Sequence, residues 1–254
     1  MLKISGLVIT YNEESNLEDC LQSLKPVVDE IIVVDSFSTD GTEEIAKRVG
    51  ARFIQNRFEG HIQQKNYAVD LAKFDWVLSL DADERLSDEL ITEIKKIKGQ
   101  SPEAGAYKFN RLSNYCGTWI RHCGWYPDTK LRLWNKHKGM WGGVNPHDSV
   151  IIESGVEVKK IKGDLLHYSF YTAEQHLHQM NKFTTIAAQE SYARGKKTYF
   201  LFHIVLYPFW LFFKNYVLKL GFLDGYFGFI ICINGAFYKY QKYTKLYILG
   251  KGKN

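Results

Sequence analysis

Two aspartates separated by one small residue, Asp81-Ala82-Asp83, close an apolar run that begins at Trp76. A buried strand ending this way needs something to compensate its charge, because desolvating an unpaired carboxylate costs several kcal/mol. Alone, such a pair reads as a solvated turn capping the next helix. Two other apolar runs change that reading, since one leads into Asn12 and Glu13 and another ends at Asp35. Three acid- or amide-bearing strand ends on one edge read as a site. There is no Gly-x-Gly-x-x-Gly after the first run and no Gly-x-x-x-x-Gly-Lys-Ser/Thr anywhere, so a glycine-rich phosphate cradle at a helix N-terminus is not expected. A phosphate-bearing ligand would reach these carboxylates through a bridging Mg²⁺ or Mn²⁺, since such ions commonly take one or two carboxylates plus substrate phosphates.

The elements that must position these groups follow from apolar spacing. Strands are expected at 3–10, 29–35, 51–54 and 76–80, with helices at 15–24, 43–49 and 63–73 between them. Leu17, Leu21 and Leu24 form the face of the first helix, and Pro26 stops it. Four alternations of strand and helix predict a parallel sheet with crossover helices on both faces. Ligands of such sheets lie beyond the carboxyl ends of the strands, the edge that carries the acids.

Composition bounds the rest. An apolar content of 45% suffices for a sizeable core. Cys20, Cys116, Cys123 and Cys232 show no zinc-type spacing and imply no disulfide framework, so reduced thiols in the cytosol are expected. Met1-Leu2-Lys3 runs directly into the first strand, without the pattern of a secretory leader. From Ser191 onward ten Lys/Arg face the single Asp224, so this tail carries +9 while the whole chain carries +5, leaving −4 on residues 1–190. The tail holds two apolar, aromatic stretches, 199–213 and 217–237, bracketed by lysines. The first falls short of the ~20 residues of a spanning helix. Helices lying in a membrane interface fit this pattern, with an anionic lipid surface as partner; a re-entrant element or a dimer contact are the alternatives. Lysines threaded between apolar runs favour lipid headgroups over a nucleic-acid backbone, and no nucleic-acid partner is expected.

Three motifs, Val8-Ile-Thr-Tyr-Asn-Glu-Glu14, Ile31-Ile-Val-Val-Asp-Ser-Phe-Ser-Thr-Asp-Gly-Thr42 and Leu78-Ser-Leu-Asp-Ala-Asp-Glu84, resemble those of the family-2 glycosyltransferases of GT-A fold. The stretch from Gly124 to Trp134 and Asn145-Pro-His-Asp148 resembles the branch that builds the lipopolysaccharide core, which includes β-1,4-glucosyltransferases. The resemblance implies an α/β fold with a mostly parallel sheet flanked by helices. It implies a catalytic domain over 1–170, with a nucleotide-sugar half at 1–100 and an acceptor half at 101–170, followed by a helical membrane-associating region at 171–254. It further implies an inverting, metal-dependent transfer of a hexose, glucose foremost, from a UDP-sugar to a lipopolysaccharide-core or other lipid-linked acceptor. The enzyme would be peripheral on the cytoplasmic face of a bacterial inner membrane. Transfer to another surface polysaccharide, or a non-catalytic sugar-binding scaffold, is the alternative.

Carried over residue by residue, Thr10, Tyr11, Asn12 and Glu13 would line base and ribose, and Asp35 would accept from the base. Lys65 and Asn66 would lie near the donor, Asp81 by the ribose, and Asp83 on the metal, with Asp81 and His167 as further metal ligands. Ser36-Phe37 departs from the family pattern, in which a second Asp and a Gly are frequent. The acceptor hydroxyl needs a general base; Asp148 matches best, His147 second. Arg121, Lys130 and Arg132 surround six aromatic residues (Tyr115, Trp119, Trp125, Tyr126, Trp134, Trp141). The basic groups suit a phosphorylated acceptor, and the rings are expected to divide evenly between core and sugar binding. A nucleotidyltransferase would carry a glycine-rich activating loop near its N-terminus, which this chain lacks.

Overall fold

The first part of the chain alternates as its spacing predicts: β1 (Ile4–Thr10), α1 (Leu17–Leu24), β2 (Glu30–Asp35), α2 (Thr42–Val49), β3 (Arg52–Gln55), α3 (His61–Asp70) and β4 (Trp76–Asp81). This is a computed structural model describing residues 2–144 and 147–251. The strands are apolar on both sides because both sides are covered. Ile4 and Val8 of β1, Ile31 and Val33 of β2, and Leu78 and Leu80 of β4 join one cluster with α1 and α2. The intervening Leu7, Ile32, Val34 and Val77 join the other, with Ala68 and Val69 of α3. Leu17, Cys20, Leu21 and Leu24 form the buried stripe of α1. Gly50, at φ 85°, ends α2 in the left-handed region that glycine enters without strain.

The strand order β3-β2-β1-β4 is parallel throughout. Chain direction across the sheet reverses between β1 and β4, so a crevice opens beyond their carboxyl ends. Register sets the acids level there: Thr10 pairs with Asp35, and Ile9 with Asp81.

Beyond β4 come β5 (Glu84–Leu86), α4 (Asp88–Gly99), β6 (Ala106–Tyr115), β7 (Thr118–Ile120), β8 (Asp128–Asn135), β9 (Gly139–Val144), β10 (His147–Ile152) and β11 (Val158–Phe170). The sheet continues from β4 as β8-β6-β11-β5, with β4–β8, β6–β8 and β5–β11 antiparallel. The parallel sheet expected from the first four alternations is β3-β2-β1-β4, and the later antiparallel strands make the full sheet a mixed one. β9 and β10 form a separate antiparallel hairpin. A mixed α/β sheet with flanking helices is the GT-A arrangement that the resemblance implies.

The chain divides into two units, one of Met1–Arg111 and Asp128–His167 and one of Leu112–Pro127 and Tyr168–Asn254. The second holds α5 (Ala173–Ala193), α6 (Tyr207–Phe213) and α7 (Gly225–Lys251). α5 begins with a capping box, in which the Gln175 N–H donates to Thr172 Oγ1 and the Thr172 N–H to Gln175 Oε1, each at 3.2 Å. Both apolar stretches of the tail are helical but longer than expected. A π-helical turn at Phe200–Leu206, then α6, then another at Lys214–Leu218 make one run of 19 residues. The second helix starts late, at Gly225, because Leu220 and Gly225 both take positive φ, and it then continues through the lysines to Lys251. Phe200–Leu218 and Gly221–Lys251 are each long and apolar enough to cross a membrane.

Candidate active site

At the carboxyl edge, the loop after β1 is tied to the loop after β2. Asn12 takes a left-handed conformation, φ 55°, which lets its N–H donate to Ser38 Oγ and its Oδ1 accept from the Thr39 N–H, both at 2.8 Å. The Glu13 N–H donates to Thr42 Oγ1 at 2.9 Å. Asp35 is fully buried and organises both loops: its carboxylate accepts from Thr10 Oγ1 at 2.8 Å, from the Ser38 N–H at 2.7 Å and from the Ser38 hydroxyl. These bonds fill three of roughly four acceptor positions on a carboxylate. Phe37 is exposed at φ 62°. That left-handed conformation is one that glycine enters without strain.

The next layer is a chain of alternating charges. Lys65, on α3, lies 2.7 Å from Asp148 Oδ2 and 2.8 Å from Asp81 Oδ1. Arg132, in β8, reaches Asp81 Oδ2 and Glu84 Oε1 with the same Nη2, at 2.7 Å each. Arg111 then bridges Glu84 at 3.3 Å and Asp128 at 2.7 Å. Trp141 closes over this cluster, its ring 4.3 Å from Lys65 Nζ and 5.4 Å from the Arg132 guanidinium. Burial acts to raise the pKa of Asp81, but Arg132 and then Lys65 outweigh it and hold the carboxyl well below the usual carboxylate range. Glu13 is pushed up, foremost by burial and further by the charge of Asp83, while a hydrogen bond from Asn16 opposes the shift.

Lys130 lies 3.1 Å from Asp128 Oδ1, so four carboxylates in this chain face four cations, and Asp83 stands beside them. Its ion-pair partner is His167, with Nε2 at 3.2 Å from Oδ2. A carboxylate beside an imidazole, next to a cluster whose own charges balance, suits a divalent cation that draws its other ligands from substrate phosphates and water. Asp81 fits such an ion less well, since both of its oxygens are bound to Lys65 and Arg132. Among the described residues no three His, Cys, Asp or Glu side chains form a metal cluster by themselves.

The expected site residues therefore separate into groups. Thr10, Asn12, Glu13 and Asp35 meet at one loop pair, and Lys65, Asp81 and Asp148 meet through ion pairs. Tyr11 is exposed beside them. Asn66 turns elsewhere: its amide donates to the Trp141 carbonyl at 2.9 Å and accepts from the Trp141 N–H at 3.0 Å, fastening β9 to α3. The His147 side chain lies outside the described residues. Arg132, read as a group for a phosphorylated acceptor, is buried and its Nη2 is held by Asp81 and Glu84. Of the six rings, Tyr115, Trp134 and Trp141 are buried in the core, and Trp119, Trp125 and Tyr126 are half-buried. Sequence reasoning missed Glu84 and the pairing role of Arg132. The signal was an arginine between Leu131 and Leu133 of an apolar strand, where a charge implies a buried partner.

The description "Glycosyl transferase family 2" matches residues 5–156. The chain belongs to this family. All eight groups of the ion-pair chain lie inside the matched segment; His167 and the C-terminal helices lie beyond it. Relatives named as glycosyltransferases align over those parts as well. An uncharacterized glycosyltransferase of Rickettsia typhi is 33% identical over 97% of this chain and 87% of its own. The lipopolysaccharide core biosynthesis glycosyltransferase LpsC of Rhizobium meliloti is 28% identical over 97% of this chain and 92% of its own. Among solved structures, glucosyl-3-phosphoglycerate synthase from Mycobacterium tuberculosis overlaps 44% of either chain at 26% identity, with a TM-score of 0.36.

Proposed function

We propose that this glycosyltransferase is an inverting, metal-dependent hexosyltransferase. Its donor is a UDP-hexose, UDP-glucose foremost, and its acceptor a hydroxyl of the lipopolysaccharide core or another lipid-linked glycan. It works peripherally at the cytoplasmic face of a bacterial inner membrane. Residues 1–100 hold the donor, 101–170 face the acceptor, and 171–254 keep the chain at the lipid surface. The observation that carries the chemistry is the different pairing of the two motif aspartates: Asp81 is neutralised by Lys65 and Arg132, whereas Asp83 has only His167 as ion-pair partner among the described residues. The acceptor class is supported by the LpsC relative, which aligns along 97% of the chain.

In this reading the loops tied by Asn12 and Asp35 seat the base and ribose, with Thr10, Tyr11 and Glu13 along the same edge. Asp83 and His167 would hold a divalent cation, which would supply neutralisation of the charge gathering on the leaving diphosphate. Asp148 takes the proton of the acceptor hydroxyl as that oxygen bonds to the anomeric carbon and the carbon–oxygen bond to the diphosphate breaks. Lys65 fixes the Asp148 carboxylate through Oδ2 and keeps it a set distance from Asp81.

A donor screen read by nucleotide release tests the proposal. Wild type with Mn²⁺ and a lipopolysaccharide-core acceptor is expected to release UDP from a UDP-hexose. Asp148→Asn is expected to lower kcat by roughly 100- to 10,000-fold, the usual range for a lost general base. Release of no nucleotide from any donor by wild type would leave a sugar-binding scaffold as the better reading.

A further inference from the structure

An open groove of about 810 Å³ lies in the second unit between the segment 200–212 and α7, within the roughly 300–1,000 Å³ of ligand pockets. Its walls are mostly apolar, among them Ile204, Phe212, Phe229 and Ile233, with the Thr244 hydroxyl an exception, and the small Ala236 leaves room on the α7 side. The π-helical turn at Phe200–Leu206 widens the helix on the opposite wall. At Tyr247 this groove adjoins a second cavity of about 350 Å³, lined by Lys196, Lys197 and Lys251 and by no acid. None of the three lysines makes an ion pair among the described residues. On the same wall the Thr198 hydroxyl is buried without a hydrogen-bond partner among the described residues, an unmet donor of the kind a ligand oxygen satisfies.

An apolar groove that ends on three unpaired cations matches one kind of occupant. A neutral acyl lipid would leave the lysines unmatched, and a free phosphate would leave the groove empty. A second copy would bring the +9 of its own tail against the same charges. We propose that the second unit seats one acidic phospholipid molecule, one of its two acyl chains in the groove and its phosphate on Lys196, Lys197 and Lys251. The seat rests on the reading of this unit as membrane-associated, and goes beyond it: binding is stoichiometric and depends on the headgroup, whereas adsorption by the outer belt of Leu201, Phe202, Trp210 and Phe213 is neither.

The test uses the full chain with vesicles of phosphatidylglycerol and phosphatidylcholine in equal parts, read by sedimentation and, after detergent release, by native mass spectrometry. Wild type is expected to sediment and to retain one phosphatidylglycerol. Ala236→Trp, which fills the groove and spares the outer belt, is expected to lose that lipid at least tenfold while sedimenting within twofold of wild type. The surface pair Lys196→Glu/Lys197→Glu, which leaves the groove intact, is expected to lose the preference for phosphatidylglycerol. Equal retention of phosphatidylcholine by wild type would overturn the seat, as would unchanged phosphatidylglycerol binding in a folded Ala236→Trp. Should that variant not fold, an undiminished preference in the lysine pair overturns it. Failure of wild type to sediment at all would overturn the membrane reading beneath it.

Discussion

Arg132 is the residue on which the charges at the sheet edge depend. It is 4% exposed and joins Asp81 to Glu84, which is fully buried. Removing one member of a buried ion pair leaves the other uncompensated, at a cost of about 3–5 kcal/mol. Arg132→Met is therefore expected to lower the unfolding free energy by about that amount in urea titrations, and a change under about 1 kcal/mol would show that the pairing is not structural. Acid should act on the same network. Because Asp81 titrates far lower in the folded chain than the roughly 3.9 of an unfolded aspartate, its contribution is complete above that value and is lost as pH falls below it toward the folded pKa. Wild type should lose urea resistance between about pH 4 and pH 2, and Asp81→Asn should show a shallower loss; equal slopes would refute the assignment. At this scale the sequence was only partly legible. Asp81 and Asp83 could be read because acids ending an apolar run demand compensation. The partner of Asp81 could not, since Arg132 lies 51 positions away and meets it only through the antiparallel addition of β8 to β4. The bonds of Asn66 were not legible for a similar reason, its amide being taken up by a hairpin whose position no local pattern encodes.

Elements were more legible than their junctions. β1 to β4 and their helices start and stop within a few residues of the apolar pattern, because alternation within each strand serves two covered faces and leaves little latitude. Less legible was where the antiparallel strands join, since their pairing depends on close approaches that a sequence pattern does not mark. Gly163, in β11, is one of these. It takes φ 88°, and a Cβ there would lie 2.4 Å from the Leu90 amide nitrogen of α4. This approach brings β11 against the first turn of α4, where the Ser87 hydroxyl accepts from both the Leu90 and the Asp164 N–H groups. Gly163→Ala combines left-handed strain with that clash and is expected to cost about 3 kcal/mol, measured by the shift in urea midpoint. A midpoint within error of wild type would show that β11 relaxes freely away from α4. The tail shows the opposite limit: its apolar runs were read as helices, but their ends depend on positive φ at Leu220 and Gly225.

At the scale of the whole molecule, charge and apolarity are divided along the chain. Residues 1–190 are net acidic and carry the sheet-edge site, while the +9 tail carries the exposed aromatic helices. This division suits an enzyme whose donor is soluble and whose acceptor is held in a lipid surface. The central claim is that Asp83, with His167, serves the leaving diphosphate while Asp81 is occupied by structural ion pairs. The most direct measurement is UDP release from UDP-glucose by the full chain, with Mn²⁺ and lipopolysaccharide-core acceptor, compared between wild type and Asp83→Ala. The variant is expected to lose at least ~100-fold in kcat and to keep its urea midpoint, because Asp83 stands outside the Lys65–Arg132 network. Wild-type turnover in Asp83→Ala would contradict the account.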